Sequence, residues 1–455
     1  MDFAPPDLPR RRAAIFWVAT YAIVIAAPLL LVDVAHGVQG GAGGFLKNLA
    51  NNLALAGFAI LVLQFVMAAR IARVESPFGL DYLLRFHRAM GILAVLMLLA
   101  HPVLLAWSTG RWWLLTRWIV PWPVQLGRLA LLALVVTVIT AIWRQSLRIE
   151  YQRWRRWHGR IVVLILALAL VHSMVLGIGG RGRGDLAAWP VRAVWIAMAA
   201  CAAGAYVYHR WFHRFYHRKI LHRVSRIKQE SQDVWTLSFV PVSPGGGRTH
   251  VPGQFHYITL LSPDVPREEH PFSISSSPAA VDGVASTIKI AGDFTALIPK
   301  IKPGDLAYLR GPFGRFSYLV GAPKRPLVLI AGGVGITPLM SMLRHLRDTR
   351  ANRSALLVFV NRSEKDIIFP RELAAMESLD RPQVQVVHVL SRPSSGWQGR
   401  RGRLDRAMLI ELLGGKVVEK DFYVCGPPAM ADATLSIWRE IGVPRSSIYS
   451  EQFSY

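Results

Sequence analysis

Six apolar runs fill the first half of this 455-residue chain, and no other feature narrows its fold so much. They read as Ala14–Val34, Leu49–Ala69, Arg85–Trp107, Leu126–Trp143, His158–Gly177 and Val191–His209, each of about 18 to 24 residues. A helix needs about 20 residues to cross the hydrocarbon core of a bilayer, and a backbone in lipid must satisfy its own hydrogen bonds. The runs therefore predict six membrane-spanning helices. The first is too long for the apolar core of a signal peptide, and no clear cleavage site follows it.

Charge orients these helices. Arg10, Arg11 and Arg12 precede the first run, and Arg70, Arg73, Arg85 and Arg88 surround the loop after the second. Arg144, Arg148, Arg153, Arg155, Arg156 and Arg160 surround the loop after the fourth, and Arg210, Arg214, Arg218 and Lys219 follow the sixth. All four positions fall on one side. The opposite loops are rich in Gly and Trp and less basic, with Arg111, Arg117, Arg181 and Arg183. The positive-inside rule then puts both termini on the cytoplasmic side of the cytoplasmic (inner) membrane. The net charge of +25 is accounted for by this flanking pattern, so it does not argue for a nucleic-acid partner. At 52% hydrophobic and 18% charged, the chain is too apolar to be wholly soluble and too charged to be membrane throughout. Its only cysteines, Cys201 and Cys425, lie far apart, which excludes a disulfide framework or a thiolate metal site.

Four histidines lie on two of the spans. His87 and His101 are on the third, His158 and His172 on the fifth, and both pairs are 14 residues apart. Fourteen residues at about 100° each end within about 40° of a whole number of turns, so both members share a helix face about 21 Å apart along the axis. Both helices run from inside to outside, so His87 matches His158 in depth near the cytoplasmic face and His101 matches His172 near the outer face. Two such helices could clamp two stacked haems, one histidine from each helix per iron. Two axial imidazoles leave no open position, which favours electron transfer over ligand binding. Ionisable residues deep in a span are functional by default. A further group, His209, His213, His217 and His222, reads as a solvated or lipid-facing basic linker.

After about Arg218 the pattern becomes strand-like, with Trp235–Val240 and Phe255–Leu260 broken by Pro/Gly turns. From about Arg325, strand-like runs Leu327–Ala331, Ala355–Val360 and Val384–Leu390 alternate with helix-like Pro338–Arg347 and Glu372–Glu377, which predicts a parallel α/β sheet. His270-Pro271-Phe272-Ser273 offers an aromatic ring beside a small hydroxyl, a combination suited to a flavin edge. Ile288–Thr295 (I-K-I-A-G-D-F-T) and Gly311-Pro312-Phe313-Gly314 follow it. Ala331–Pro338 (A-G-G-V-G-I-T-P) is a glycine-rich turn from strand to helix, which lets backbone N–H groups and a helix N-terminus approach a pyrophosphate. Tyr423–Pro428 (Y-V-C-G-P-P) is a second turn of the same unit, with Cys425 at the carboxyl edge where ligands bind in such sheets.

These motifs together resemble the NADPH oxidase and ferric reductase family of transmembrane flavocytochromes. The half from about His222 to Tyr455 resembles the ferredoxin-NADP reductase superfamily. H-P-F-S is similar to the family's flavin motif, G-D-F-T to a second flavin segment, and A-G-G-V-G-I-T-P and C-G-P-P to its two nicotinamide motifs. The four histidines resemble its haem ligands. The resemblance implies a six-helix membrane bundle with two b-type haems (1–217), an antiparallel β-barrel FAD domain (218–321) and an α/β parallel-sheet NAD(P)H domain (322–455). His270, Pro271, Phe272 and Ser273 would bind the flavin, with Thr295 near its pyrophosphate. Gly332, Gly333, Gly335, Thr337 and Pro338 would line the nicotinamide nucleotide's pyrophosphate. Cys425, Gly426 and Pro427 would sit near its ring, and Phe453, in the terminal E-Q-F, would stack on the flavin and step aside for nicotinamide. The wider reductase superfamily has arginine at the first position of this motif where this chain has His270, so part of the flavin pyrophosphate's charge must be met elsewhere. Ser391-Arg392 resembles the S-R pair that reads the 2′-phosphate of NADPH, and no acid occupies the end of the strand before it or of Ala355–Val360. Arg362, Arg400 and Arg401 are further candidates. The implied route runs from NADPH, or NADH, through FAD and two haems to an outside acceptor. Dioxygen giving superoxide is the leading choice and a ferric chelate the runner-up, while a membrane-anchored flavoprotein without haem is the reading of another class. No EF-hand is visible, and the sequence leaves any accessory subunit open.

Overall fold

The structure, a computed structural model, describes residues 7–36, 41–69, 71–78, 80–144, 146–176, 189–208, 219–243, 249–280, 283–319, 325–415 and 417–452. The chain divides into two compact units, 7–216 and 217–455.

The first unit is built from α1 (Asp7–His36), α2 (Gly41–Ala68), α3 (Ala72–Phe78), α4 (Leu80–Thr109), α5 (Trp113–Thr116), α6 (Trp122–Ile142), α7 (Tyr151–Leu176) and α8 (Trp189–Val207). Among the described residues, five helices are long and apolar enough to cross a membrane: Arg12–Leu31, Gly44–Ala68, Tyr82–Thr109, Trp122–Ile142 and Arg153–Leu176. The sixth run also forms a helix, α8, but its described apolar stretch, Arg192–Val207, is shorter. Phe16, Ile23, Leu96, Leu132 and Leu164 point outward and exposed, an arrangement unfavourable in water and natural in lipid. Inside, Phe58 and Val62 of α2 meet Trp195 and Ala202 of α8. Ile60 and Leu61 pack with Ala94 of α4, Leu134 of α6 and Ile165 of α7.

The second unit holds two sheets. The antiparallel one comprises β1 (Ile220–Ser231), β2 (Val234–Pro241), β3 (Phe255–Leu260), β4 (Glu269–Ser273), β5 (Val284–Lys289) and β6 (Leu306–Phe313), in the order β4-β3-β6-β1-β2-β5. Strand alternation turns Val224, Leu237, Ile258, Ile288 and Leu309 into one core. An isolated antiparallel bridge, Ile274 to Ser286, joins the chain just past β4 to β5, the two edges of the sheet. His222 corrects the linker reading: it lies in β1, is buried, and has Nδ1 2.9 Å from the Ile220 carbonyl. Its strand neighbours are paired to β2 and β6, and pairing fixes which face a side chain takes whatever its polarity. His209, His213 and His217 lie outside the described residues.

The parallel sheet comprises β7 (Leu327–Gly332), β8 (Ala355–Asn361), β9 (Val384–Leu390), β10 (Arg400–Arg401), β11 (Asp421–Gly426) and β12 (Ile448–Gln452), in the order β10-β9-β8-β7-β11-β12. Helices α9 (Ile336–Asp348) and α10 (Pro370–Glu377) pack on one face through Leu339, Leu343, Leu373 and Met376. Helices α11 (Arg406–Leu413) and α12 (Pro428–Glu440) pack on the other through Leu409, Leu413, Ala431 and Trp438. Covered on both faces, β7 is buried at every residue, as a continuous apolar run requires. The order reverses between β7 and β11, and the carboxyl ends beside such a switch point form a crevice.

The two lobes of this unit are clasped through α9. The Ser341 hydroxyl donates to the Ser276 carbonyl at 2.6 Å, and Arg344 Nη1 donates to the Ser275 carbonyl at 2.7 Å.

Candidate cofactor sites

The four span histidines lie on α4 and α7, as the sequence predicts. Their surroundings differ. His101 Nδ1 is 2.9 Å from the Ala50 carbonyl of α2, and His172 Nδ1 is 2.8 Å from the Pro123 carbonyl of α6. A carbonyl can only accept, so each Nδ1 must donate, which leaves the Nε2 lone pair available to a metal. The His172 ring is seated against Gly127 of α6: a Cβ there would stand 2.6 Å from Cε1 and from Nδ1 of the ring.

His87 and His158 line one cavity of about 230 Å³ with Gln64, Arg88, Gly91, Thr137 and an apolar wall that includes Leu61, Phe65, Leu134 and Ile165. Their Nδ1 atoms are buried without a hydrogen-bond partner. Two imidazoles with unspent nitrogens lining one mostly apolar cavity suit an iron ligand with a large apolar body.

In the antiparallel sheet, β3 pairs with β4 so that Phe255 faces Ser273, His256 faces Phe272, Tyr257 faces Pro271 and Ile258 faces His270. Ser273 has a buried hydroxyl with no partner, as a flavin-bonding hydroxyl would. Pro271 is exposed. His270 stacks on Phe294 of the G-D-F-T segment, ring centroids 3.9 Å apart, with Nε2 3.0 Å from a Glu268 carboxylate oxygen. Phe272 packs instead against the sheet's core. The Thr295 hydroxyl is used locally: it accepts from the Ala291 and Gly292 N–H groups at 2.8 and 3.0 Å and holds its own turn.

Sequence reasoning missed the neighbouring cation. Arg310 of β6 lies opposite Tyr257, stacks over that ring at 4.4 Å, and grips Glu269 through two hydrogen bonds of 2.9 and 2.7 Å. Burial alone would push the Glu269 carboxyl up, but Arg310 and Lys219 hold it down at about 2. The available signal was an arginine inside an otherwise apolar strand, directly before Gly311.

At the carboxyl end of the parallel sheet, the turns after β7 and β11 touch. A Cβ on Gly335 would stand 2.3 Å from the Cys425 carbonyl oxygen, so this glycine permits the contact between neighbouring strands. Gly332 and Gly426 are likewise closed in by Met430. Gly333 differs: its φ is +53°, and a Cβ there would meet nothing within 4 Å, so it faces open space at the start of α9. Thr337 is buried, with its hydroxyl donated to the Val334 carbonyl at 3.0 Å, and Pro338 is buried beside it. The Pro427 carbonyl starts α12 by accepting from Met430 and Ala431. The Cys425 thiol is fully buried in the sheet core, and burial, with Glu451 adding to it, pushes its pKa well up. A thiol held protonated is a poor nucleophile. Phe453 lies outside the described residues.

Ser391 and Arg392 follow β9, with N–H groups donating to the Asn361 and Arg362 carbonyls at 3.1 and 2.7 Å. Arg362 and Arg392 thus stand side by side at this edge, both exposed. Arg400 is committed to Glu411, and Arg401 to the carbonyls of Ser394, Ser395 and Trp397. An acid does reach the edge: Glu364, three positions past β8, accepts from the Ser394 N–H at 3.0 Å and from its hydroxyl.

Two family models match the chain. The ferric reductase like transmembrane component covers residues 53–171, and the oxidoreductase NAD-binding domain covers residues 329–436. The glycine betaine monooxygenase reductase subunit of Pseudomonas aeruginosa is 34% identical over 236 residues, 51% of this chain and 63% of that protein. The reductase component of propane 2-monooxygenase from Mycolicibacterium goodii is 29% identical over 238 residues, 51% of this chain and 66% of that protein. The chain thus spans under two thirds of the length of these relatives. A flavohemoglobin from Malassezia yamatoensis, solved with bound FAD and heme, shares 16% identity at a TM-score of 0.52, covering 92% of this chain and 100% of that one, a likeness of fold.

Proposed function

We propose that this chain, in which a ferric-reductase-like transmembrane component and an NAD-binding domain are matched, is an NAD(P)H-dependent oxidoreductase that carries electrons from cytoplasmic NAD(P)H across the inner membrane to an acceptor on the far side, dioxygen giving superoxide. On this reading six helices span the membrane, both termini are cytoplasmic, and the antiparallel sheet is the FAD barrel. Bound FAD would turn a two-electron hydride into single electrons, and two b haems would relay them one at a time.

The observation that supports the relay is the pairing of four histidines across α4 and α7. His87 and His158 share one apolar cavity, while His101 and His172 each spend Nδ1 on a backbone carbonyl and keep Nε2 for iron. Donating the second ring nitrogen fixes the tautomer and the ring's orientation, as metal-bound histidines commonly do. For FAD, the unpartnered Ser273 hydroxyl and the His270–Phe294 stack offer a polar contact and an aromatic shelf. For the nucleotide, Gly333 leaves room at the N-terminus of α9, whose dipole favours a pyrophosphate, and Arg362 and Arg392 offer charge for a 2′-phosphate. Phe453 is the residue we propose to cover the flavin until nicotinamide arrives.

The test is a reduced-minus-oxidised spectrum with pyridine haemochrome quantitation on the purified full chain. Two haems b per chain are expected, and none would leave a membrane-anchored flavoprotein. Acceptor assays then compare oxygen with ferric chelates. Reporter reduction abolished by superoxide dismutase supports dioxygen; dismutase-insensitive chelate reduction supports the ferric reading, which the matched membrane component favours.

A further inference from the structure

Gln64 is a primary amide inside an apolar span, four residues before the end of α2. It is nine-tenths buried, and neither its oxygen nor its nitrogen has a hydrogen-bond partner. Its side chain lines the cavity that His87 and His158 share, among Leu61, Phe65, Leu134 and Ile165. In lipid there is no water to satisfy an amide, and burying one unpaired costs at least as much as a lost hydrogen bond. Cheaper side chains such as leucine or methionine would fill the same volume without that cost. An amide kept there points to an occupant with polar atoms of its own.

The cavity's other polar groups, Arg88 and Trp154 among them, make no hydrogen bond to the amide. The Thr137 hydroxyl is returned to the Ala133 carbonyl of its own helix at 2.7 Å. The two histidine rings are not within hydrogen-bond distance of the amide.

We infer that Gln64 is the hydrogen-bond donor to the group held between His87 and His158, the inner haem of the proposed relay on which this inference rests. An amide N–H aimed at that group favours the state with one more electron, because reduction adds negative charge to it. Gln64 therefore holds the inner potential up and eases the first electron out of the flavin.

The experiment is a redox titration of the full chain in detergent or nanodiscs, followed in the haem α-band. Gln64→Met, which keeps length and loses the donor, should retain two haems and move one midpoint potential to a more negative value, leaving the other in place. Gln64→Asn, which keeps a donor, should lie between Gln64→Met and wild type. Two unchanged potentials in Gln64→Met would overturn the donor role, and so would equal shifts in both variants, since packing alone would then account for them. A wild-type protein without haem would overturn the relay itself and this inference with it.

Discussion

The two histidine pairs have the same spacing and the same pair of helices, yet they are held differently. The His101 and His172 rings are fixed by backbone: carbonyls of Ala50 and Pro123 take their Nδ1 protons, and Gly127 gives one ring its seat. The His87 and His158 rings have no such tether, and their setting is a cavity wall of side chains. A backbone acceptor cannot be removed by a substitution at its own position, whereas a wall of side chains can be altered residue by residue. The outer pair should therefore be sensitive to steric intrusion and the inner pair to changes in lining chemistry.

The widest break in that comparison comes from removing ligands. His101→Leu or His172→Leu should lose one haem and leave NAD(P)H able to reduce the other. His87→Leu or His158→Leu should lose the haem next to the flavin and leave the remaining one unreduced by NAD(P)H. Pyridine haemochrome and stopped-flow spectra measure both, and an unchanged stoichiometry in all four variants would sink the assignment.

Glycine substitutions probe the same difference more gently. Gly127→Ala drives a methyl into the His172 ring, an overpacking that typically costs about 1–3 kcal/mol. Lower occupancy or an altered spectrum of the outer haem is expected. Gly159→Ala, next to the inner ligand His158, meets nothing within 4 Å and should leave both haems as they are. Equal effects from the two would show that the outer seat is not selective.

A change at the electron entry should spare both pairs. Arg392→Ala removes one charged partner for a 2′-phosphate. It should lower kcat/KM for NADPH about ten- to a hundred-fold, from roughly 1.5–3 kcal/mol, with little change for NADH. If both cofactors fall equally, Arg392 supports the fold or the shared part of the nucleotide.

A third set of histidines completes the contrast. His222, His250 and His256 line a small cavity in the second unit, each within hydrogen-bond distance of a protein oxygen. Burial, with His250 and His222 adding to it, pushes His256 down from its ordinary 6.5 to about 3. Burial likewise lowers His222 and His250, against a raising effect from their backbone partners. These rings stay neutral in the fold while the unfolded chain takes up protons. Their contribution to stability is thus complete above about pH 6.5 and is lost as pH falls toward 3. Thermal unfolding of the full chain, read by a second-unit probe such as flavin fluorescence, should be flat from pH 8 to 7 and decline below. His256→Gln should flatten that decline; the same slope in the variant would remove His256 from the account.

Much of this was legible in the sequence where one period dominates. The strands Phe255–Leu260 and Val384–Leu390 were read with the bounds they have, because apolar runs stop there at turn chemistry. The third span, Arg85–Trp107 by its apolar run, is Leu80–Thr109, since helical hydrogen bonding continues through residues such as Asp81, Ser108 and Thr109 that add nothing to an apolar run. The carbonyls of Ala50 and Pro123 were illegible, because every residue has one and only the fold selects which is used. Gln64 was visible as an amide deep in an apolar run, but its meaning needed the neighbours that the cavity supplies. The local use of the Thr295 hydroxyl, which closes its own turn, could have been read from four consecutive residues.

The clasp through α9 has a mechanical consequence. The helix that begins at the nucleotide turn also grips, through Ser341 and Arg344, the chain that continues from β4 and its Ser273 hydroxyl. A push on the start of that helix is transmitted to the strand edge instead of being absorbed by a hinge between the lobes. On the proposed reading, a nucleotide seated at that turn would act through α9 on the segment that carries the flavin contact.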